Sequence, residues 1–140
     1  MTDVEKLNLY MGSCLGVPEI RMYDGPAGVT SVHKTTDLPV QEMLAASWDT
    51  ELAYKYGKVE GSENFAVSGN TQLGSQFDLV RIPQFGRNKD ILGADPFLTA
   101  TTAVPETKGI QDAEIVATSK HFGVASIGTD MQKAIVRRSR

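Results

Sequence analysis

The sequence predicts an α/β fold in which parallel strands alternate with helices. Three short segments bounded by turn residues have the length of strands, at residues 20–23, 71–74 and 115–119. Two longer stretches between them begin with helix-capping residues. The order strand, helix, strand, helix, strand is typical of a parallel sheet whose crossover connections are helices.

The first element along the chain is a short helix. Thr2 and Glu5 form a capping box, in which each side chain accepts from the backbone N–H of the other residue. Val4 and Leu7 then recur at helical spacing on one face. These features predict a helix over residues 3–11, ended by the glycine and serine that follow it.

The first strand is predicted at residues 20–23. It is stopped by residues 24–28, which have the composition of a turn. Residues 29–39 are rich in Thr, Ser, Lys and Asp, and this composition favours a loop over the end of the sheet. Asp24 therefore lies where the first strand ends.

A second helix is predicted to begin after Asp49, whose side chain can accept from the first backbone N–H groups, and to run to about residue 66. Gly57 and Gly61 each weaken a helix by about 1 kcal/mol relative to alanine. We therefore expect them to allow close packing against the sheet. The apolar residues expected to face the core are Leu52, Ala53, Tyr56 and Val59.

A third helix is predicted after Asp95 and Pro96, a favourable pair for the N-cap and the first helical position. It is expected to run toward Gly109. Pro105 should kink or end it, because the proline ring displaces the carbonyl four residues back. The residues expected on its inner face are Phe97, Ala100 and Val104.

Charged and polar side chains follow each of the predicted strands. They are Asp24 after the first strand, Arg87 in the polar stretch of residues 75–93 after the second, and Lys120 and His121 after the third. In parallel α/β folds the carboxyl ends of the strands lie at one edge of the sheet, where ligand sites assemble. These four residues are therefore the candidate ligand-binding group.

Each of the four residues also has a structural interpretation. Asp24 can order its own turn, Arg87 can be a solvated loop residue, and His121 can be a hydrogen-bonded core histidine. A structural role is less favoured for Lys120, because burial of an unpaired ammonium at a strand end is costly. Taken residue by residue, the sequence leaves these alternatives open.

A set of short motifs occurs in order along nearly the whole chain. They are Val4-Glu5-Lys6-Leu7, Gly16-Val17-Pro18, Asp24-Gly25-Pro26, Ala45-Ala46-Ser47-Trp48-Asp49, Gly86-Arg87-Asn88, Asp95-Pro96-Phe97-Leu98 and Lys120-His121-Phe122. In this order and at this spacing, the set resembles glycoside hydrolase family 3, the group that contains many β-glucosidases. The ordered set is highly specific.

The resemblance implies a (β/α)8 TIM-type barrel. A complete barrel of this kind needs about 250 residues, whereas the chain has 140. We therefore expect residues 1–140 to form one incomplete N-terminal barrel domain of the family. It would be a partial barrel, roughly the first half, with parallel strands alternating with helices.

The resemblance also implies the function of a β-glucosidase-like glycoside hydrolase, which cleaves terminal β-glycosidic bonds with retention. It implies that Asp24 binds outer hydroxyls of the non-reducing glucosyl unit. Arg87, Lys120 and His121 would hold its other hydroxyls. Charged partners suit this task, because charge-assisted hydrogen bonds are roughly twice as strong as neutral ones. No cofactor and no metal are implied.

Retaining glycosidases need two carboxyls about 5 Å apart, one as nucleophile and one as acid/base. The resemblance implies that both lie beyond residue 140, since the aspartates at 78, 90, 95 and 130 do not lie in the family's nucleophile motif. No catalytic residue is therefore assigned, and we expect the chain alone to be inactive. One alternative is a non-catalytic sugar-binding or interaction remnant. The other is a β-N-acetylglucosaminidase relative, whose loop after the Lys-His pair differs from the loop here.

Composition narrows the expected partners and location. The formal net charge of −3 gives no reason to expect nucleic acid as a partner. Cys14 is the only cysteine, which excludes an intrachain disulfide and a cysteine-based zinc site. No apolar run approaches the ~20 residues of a membrane span, and no signal peptide is visible, so cytoplasm is the default expectation.

Two kinds of partner are expected. The first is a β-glucoside or oligosaccharide substrate, as the family resemblance implies. The second follows from an incomplete barrel, which leaves an open sheet edge and apolar surface. We expect self-association, or a complementing chain, at that open barrel edge.

Overall fold

The structure is a computed structural model and describes residues 2–10 and 18–123. The predictions for residues 11–14, for Asp130 and for residues 124–140 in general lie outside this part of the chain. The helices are α1 (Asp3–Tyr10), α2 (Gln41–Ala46), α3 (Thr50–Ala66) and α4 (Pro96–Gln111), and the strands are β1 (Met22–Asp24), β2 (Thr71–Leu73), β3 (Phe77–Asp78), β4 (Val116–Thr118) and β5 (Phe122–Gly123). A short 3-10 turn occupies Asn88–Asp90.

The strands are parallel and lie side by side in chain order. A three-stranded sheet has the order β1-β2-β4, and β3 pairs with β5. The second pair continues the register of β2 and β4, because Thr71 faces Val116 and Phe77 faces Phe122 at the same sequence separation. The segments β2 and β3 therefore form one strand path, and β4 and β5 form a second, each interrupted by a short break. Lys120 lies in the later of these breaks.

Three helices begin where the sequence predicts them. Thr2 and Glu5 make the reciprocal bonds of a capping box at 3.2 and 2.7 Å. Asp49 accepts from the backbone of Glu51 and Leu52 at the start of α3. Asp95 does the same at the start of α4. In each case one side chain satisfies backbone N–H groups that the helix leaves without partners.

The close contact made by Gly57 and Gly61 is with α4, and the prediction that they pack against the sheet is wrong. A Cβ atom on Gly57 would lie 1.9 Å from the carbonyl oxygen of Glu106. One on Gly61 would lie 2.9 Å from the carbonyl oxygen of Ile110. On the other helix, a Cβ on Gly109 would lie 2.2 Å from the carbonyl oxygen of Tyr54. The glycines therefore let two helix backbones approach each other.

The inward faces of α3 and α4 are partly polar, which makes several predicted core positions wrong. Ala53 and Tyr56 are buried as expected. Five apolar residues are predicted to face the core but are exposed in the structure: Leu52, Val59, Phe97, Ala100 and Val104. Their places are taken by buried polar residues, among them Glu60 on α3 and Glu106 on α4. A search for apolar periodicity cannot find such a face.

Pro105 is predicted to kink or end its helix, and the structure shows that it does not end it. α4 continues past it to Gln111. The proline has no N–H to donate, and loss of that bond costs about 3 kcal/mol in a helix interior. Packing against α3 on the C-terminal side of the proline, through Glu106 and Gly109, holds the helix together.

Helix α2 has no counterpart among the predicted elements. It is only six residues long, and its N-cap is Val40, whose side chain makes no capping bond. It begins with the buried Gln41 and buries Leu44 and Ala45 against the other helices. Tertiary packing stabilises this helix, so the local sequence carries no start signal for it.

The outer strands of the sheet are not covered on both faces. Met22 on β1 is 56% exposed and Val116 on β4 is 61% exposed. In a closed barrel, strands on either side would pair with these edges. In this structure β1 and β4 are the edges of the three-stranded sheet. The described residues therefore form an open sheet with helices packed on it.

A membrane-crossing helix would have to be both long and apolar. None of the helices in residues 2–10 and 18–123 meets these two conditions.

Candidate functional site

Three of the four predicted binding residues line one cavity at the carboxyl edge of the sheet. The cavity has a volume of about 330 Å³, within the range of small-ligand sites. The predicted residues in its wall are Asp24, Arg87 and Lys120. The other residues that line it are Pro26, Ala27, Gly28, Thr30 and Asp90. The strand order brings these loops together, because parallel strands end at the same edge.

An ion pair joins the end of the first strand to the segment that follows β4. The Nζ atom of Lys120 donates to Oδ1 of Asp24. The Asp24 side chain is 58% exposed and that of Lys120 is 29% exposed, so both charged groups reach solvent in the cavity. The pair places a hydrogen-bond acceptor and a donor side by side, which suits a ligand with neighbouring hydroxyls.

Arg87 is oriented by a neighbour three residues along the chain. Its Nε donates to Oδ2 of Asp90 at 3.0 Å. The Asn88–Asp90 turn brings the two residues together, and Asn88 fixes that turn by donating to the carbonyl oxygens of Ile82 and Pro83. Because Asp90 binds Arg87 through Nε, the Nη groups of Arg87 lie on the other edges of the guanidinium plane and are the donors left for a ligand in the cavity.

His121 lies beside the cavity and is not among the residues that line it. Its backbone N–H donates to Oε1 of the buried Gln76 at 2.9 Å. Its Nδ1 lies 3.9 Å from Oδ2 of Asp78, a carboxylate only 2% exposed. The imidazole itself is 45% exposed. The structure thus brings Asp24, Arg87 and Lys120 together and sets His121 to one side.

The turn after β1, residues 24–28, is held by side chains that sequence reasoning missed. The Nε2 of Gln72 donates to the carbonyl of Gly25 at 2.9 Å. The Nε2 of Gln41 and the hydroxyl of Tyr56 donate to the carbonyl of Pro26, at 2.7 and 3.1 Å. No local pattern marks these three residues, because each acts on a turn far away in the chain.

Asp90 and Thr30 also line the cavity and were not predicted. A signal for Asp90 exists in the sequence, since it stands three residues after Arg87 and such pairs interact on helical turns. Thr30 offers no comparable signal. It is placed by its own backbone N–H, which donates to the carbonyl of Asp24 at 2.6 Å.

Metal coordination needs several ligating side chains in one place. Within residues 2–10 and 18–123, no group of three or more His, Cys, Asp or Glu side chains could hold a metal ion. The charged groups at the cavity are two carboxylates, a guanidinium and an ammonium. This set offers both donors and acceptors, and it suits a neutral ligand that can use both.

Comparison with known proteins gives one consistent result. The family model described as "Glycosyl hydrolase family 3 N terminal domain" matches residues 5–136. β-Glucosidase A of Aspergillus kawachii is 37% identical over an alignment of 138 residues, and the alignment covers 87% of this chain and 16% of that protein. The chain thus spans about one sixth of the length of this curated relative.

Solved structures of similar proteins agree with this result. DesR, a β-glucosidase from Streptomyces venezuelae in complex with D-glucose, has a TM-score of 0.79 and 38% identity, over 82% of this chain and 15% of its own. β-Glucosidase 3B from Thermotoga neapolitana in complex with glucose has a TM-score of 0.76 and 32% identity, over 82% and 17%. Together with the parallel strands in chain order, these likenesses confirm the predicted fold class, a partial α/β barrel.

Proposed function

The chain belongs to glycosyl hydrolase family 3, as predicted, and on that basis we propose that it forms the glucosyl-binding part of a β-glucosidase-like glycoside hydrolase. The observation that carries the proposal is the cavity in which Asp24, Arg87 and Lys120 converge. Relatives of this chain named β-glucosidases, and similar structures solved with glucose, support a β-glucoside as the ligand class.

The proposed binding chemistry follows from the charges in the cavity. A sugar ring presents neighbouring hydroxyls that each donate and accept. The carboxylate of Asp24 accepts from two adjacent hydroxyls, and Lys120 and Arg87 donate to the oxygens around them. These bonds are charge-assisted and therefore stronger than those between neutral groups. His121, partly exposed beside the cavity, completes the set with one further donor.

We assign bond cleavage to residues outside these 140. A retaining mechanism needs two carboxyls about 5 Å apart at the scissile bond. Three aspartates in the described part of the chain have other partners: Asp78 is buried near His121, Asp90 binds Arg87, and Asp95 caps α4. The residues here therefore bind and orient the glucosyl unit without providing a nucleophile.

A chimeric enzyme tests this assignment. The segment of Aspergillus kawachii β-glucosidase A that matches this chain is replaced by residues 5–136, and hydrolysis of an aryl β-glucoside is measured. We expect the chimera to be active. Asp24→Ala should lower its kcat/KM about a hundredfold, because two charge-assisted bonds worth about 1.5 kcal/mol each are lost.

The matched control is Asp37→Ala, which removes an exposed carboxylate from the loop before α2. It should leave kcat/KM unchanged. An active chimera that tolerates Asp24→Ala as well as it tolerates Asp37→Ala would show that the cavity does not hold the substrate.

A protein consisting of these 140 residues alone should bind glucose without hydrolysing aryl β-glucosides above background. Recognition and bond cleavage use different residues, so the first can survive without the second. NMR titration with glucose should shift the backbone signals of residues 24–30 and 120–121. Turnover that disappears when one of the chain's own aspartates is replaced would identify a nucleophile here and contradict the assignment.

A second candidate function is a non-catalytic interaction module. Support for it comes from the uncovered edge of the sheet, where Val116 on β4 and Phe122 on β5 are exposed. We propose that this edge is covered by another polypeptide segment, supplied by a second copy of the chain or by a complementing chain. In both cases the partner contributes the apolar surface that a closed barrel would contribute.

A further inference from the structure

A buried group of carboxyl and amide side chains lies beneath the turn that carries Asp24. Glu60 of α3, Glu106 of α4 and Gln41 of α2 are all fully buried. Each comes from a different helix, so the group forms where α2, α3 and α4 meet. Burial of ionisable groups is costly unless they are neutralised or paired, and the sugar-binding role described above does not use these side chains.

Hydrogen bonds connect this group to the turn at residues 24–28. Gln41 bridges the two, because its Nε2 donates to the carbonyl of Pro26 at 2.7 Å and to Oε1 of Glu106 at 2.9 Å. Glu60 reaches the turn directly, since its Oε1 accepts from the backbone N–H of Gly28 at 3.4 Å. Glu60 thus contacts the turn in the cavity wall directly, and Glu106 contacts it through the side chain of Gln41.

Three buried oxygen atoms of this group have no hydrogen-bond partner in the described part of the chain. They are the Oε2 atoms of Glu60 and Glu106 and the Oε1 atom of Gln41. All three atoms are acceptors if the carboxyls are ionised. A carboxyl that carries a proton becomes a donor, so protonation supplies a hydrogen bond that the group otherwise lacks.

The electrostatic surroundings also favour the protonated form. Burial raises the pKa of Glu106 to about 7. Burial, and then repulsion by Glu106, raises the pKa of Glu60 well above its usual range. The other titratable groups that act on the pair are Glu63 and Tyr56 of α3. In the described part of the chain, no cation is among the groups that act on the pKa of either carboxyl.

We propose that the Glu60–Glu106 pair is a proton-dependent positioning element for the Asp24–Gly28 turn. With the pair protonated, Gln41 and Glu60 hold the turn and place Asp24 in the cavity. When the pair loses a proton to solvent, an unpaired negative charge remains in the buried group, and the turn is released. The proposal deepens the proposed glucosyl-binding role and rests on it for its consequence on ligand affinity.

The direction of the effect follows from linkage. In the unfolded chain both carboxyls are ionised above their ordinary pKa, whereas in the folded chain they keep their protons to higher pH. The stabilisation of the turn is therefore complete below the ordinary glutamate pKa of 4.5, declines as pH rises above that value, and is lost as pH passes about 7. This is opposite to the usual behaviour of a carboxylate in an ion pair.

The proposal is tested on the 140-residue chain by two measurements between about pH 5.5 and about pH 8.5. The first is the hydrogen-exchange protection factor of the Gly28 amide, and the second is glucose affinity by NMR titration. In the unmodified chain, both should fall as pH rises, with affinity weakening about tenfold across the range as the competent fraction of the turn declines. Replacing both members of the pair, Glu60→Gln together with Glu106→Gln, keeps the shapes of the side chains without their titration, and both profiles should become flat.

Histidine side chains also change charge in this range, so the flat profile of the double variant Glu60→Gln, Glu106→Gln is what isolates the carboxyl pair. The matched control is Glu51→Gln, which alters an exposed carboxylate on α3 and should keep the original profile. Gly28 protection that is independent of pH in the unmodified chain would overturn the proposal even if the double variant failed to fold.

The two readouts separate this proposal from the proposed function. If Gly28 protection depends on pH as expected and glucose does not bind, the positioning element stands and the glucosyl-binding role fails. If glucose binds with the same affinity throughout the range while Gly28 protection stays constant, the binding role stands and the positioning element fails. A pH dependence that persists in the double variant Glu60→Gln, Glu106→Gln also contradicts the proposal.

Discussion

Replacing Gly57 or Gly109 with alanine should push α3 and α4 apart and destabilise the whole fold. A Cβ atom at these positions would meet the backbone oxygens of Glu106 and Tyr54 at 1.9 and 2.2 Å. Backbone atoms cannot rotate away as the end of a side chain can. We expect each substitution to lower the free energy of unfolding by about 3 kcal/mol or more, a large part of the marginal stability of a domain.

Denaturant unfolding followed by circular dichroism measures this loss. Gly86→Ala is the matched control, because a Cβ there would meet no atom within 4 Å. It should change the free energy of unfolding by no more than about 0.5 kcal/mol. Equal effects of Gly57→Ala and Gly86→Ala would mean that the contact between α3 and α4 is not as close as the structure has it.

The parts of the fold that were predictable are those with local signals. Asp49 and Asp95 mark helix starts because each satisfies backbone N–H groups within the same few residues. The strand at Thr71–Leu73 is bounded by turn residues and was found for the same reason. Helix α2 was missed because its start, at Val40, carries no such signal. Its position depends on distant residues.

The inward faces of the helices were mispredicted for a different reason. Apolar periodicity pointed to Val59 and Val104, whereas the buried positions include Glu60 and Glu106. A polar interior can be recognised only from its partners, here Gln41 and the turn it holds. Short-range patterns do not record such partners, because the contacting residues are far apart in sequence.

The candidate site was partly accessible from sequence, because strand ends are short-range features. Asp24 and Lys120 each follow a strand, and parallel pairing then brings them into contact across β2. The position of His121 could not be deduced in this way. Its position depends on contacts with Gln76 and with Asp78 of β3, which lie more than 40 residues away in the sequence.

The 140-residue protein should self-associate at micromolar concentration and bind a hydrophobic dye. A cavity of about 380 Å³ beside α4 is lined largely by apolar side chains, including Phe77, Leu79 and Val104. The edge strands nearby expose Val116 and Phe122. An open edge combined with an apolar face is the combination that closed barrels avoid, so we expect a second copy to cover it.

Analytical ultracentrifugation and dye fluorescence over a dilution series check this expectation. Val104→Lys places a charge on the apolar face of α4 and should weaken association roughly tenfold, since burial of one valine contributes about 1.5 kcal/mol or more. Val32→Lys is the control, because Val32 is also an exposed valine but lies in the loop before α2. It should leave association unchanged.

A monomer that melts cooperatively at every concentration and binds no dye would contradict this expectation. The reason is that burial of apolar surface within one copy and hydrogen bonding of its buried polar groups together stabilise the chain only modestly. Its buried core contains many polar residues, so apolar burial within one copy is limited, and each polar group contributes only where its hydrogen bonds are complete. The apolar surface left outside, from Met22 on β1 to Val104 on α4, is therefore the largest source of stabilisation still available. A sharp, concentration-independent transition would require the helix packing around Gly57 and Gly109 to stabilise the sheet without a partner.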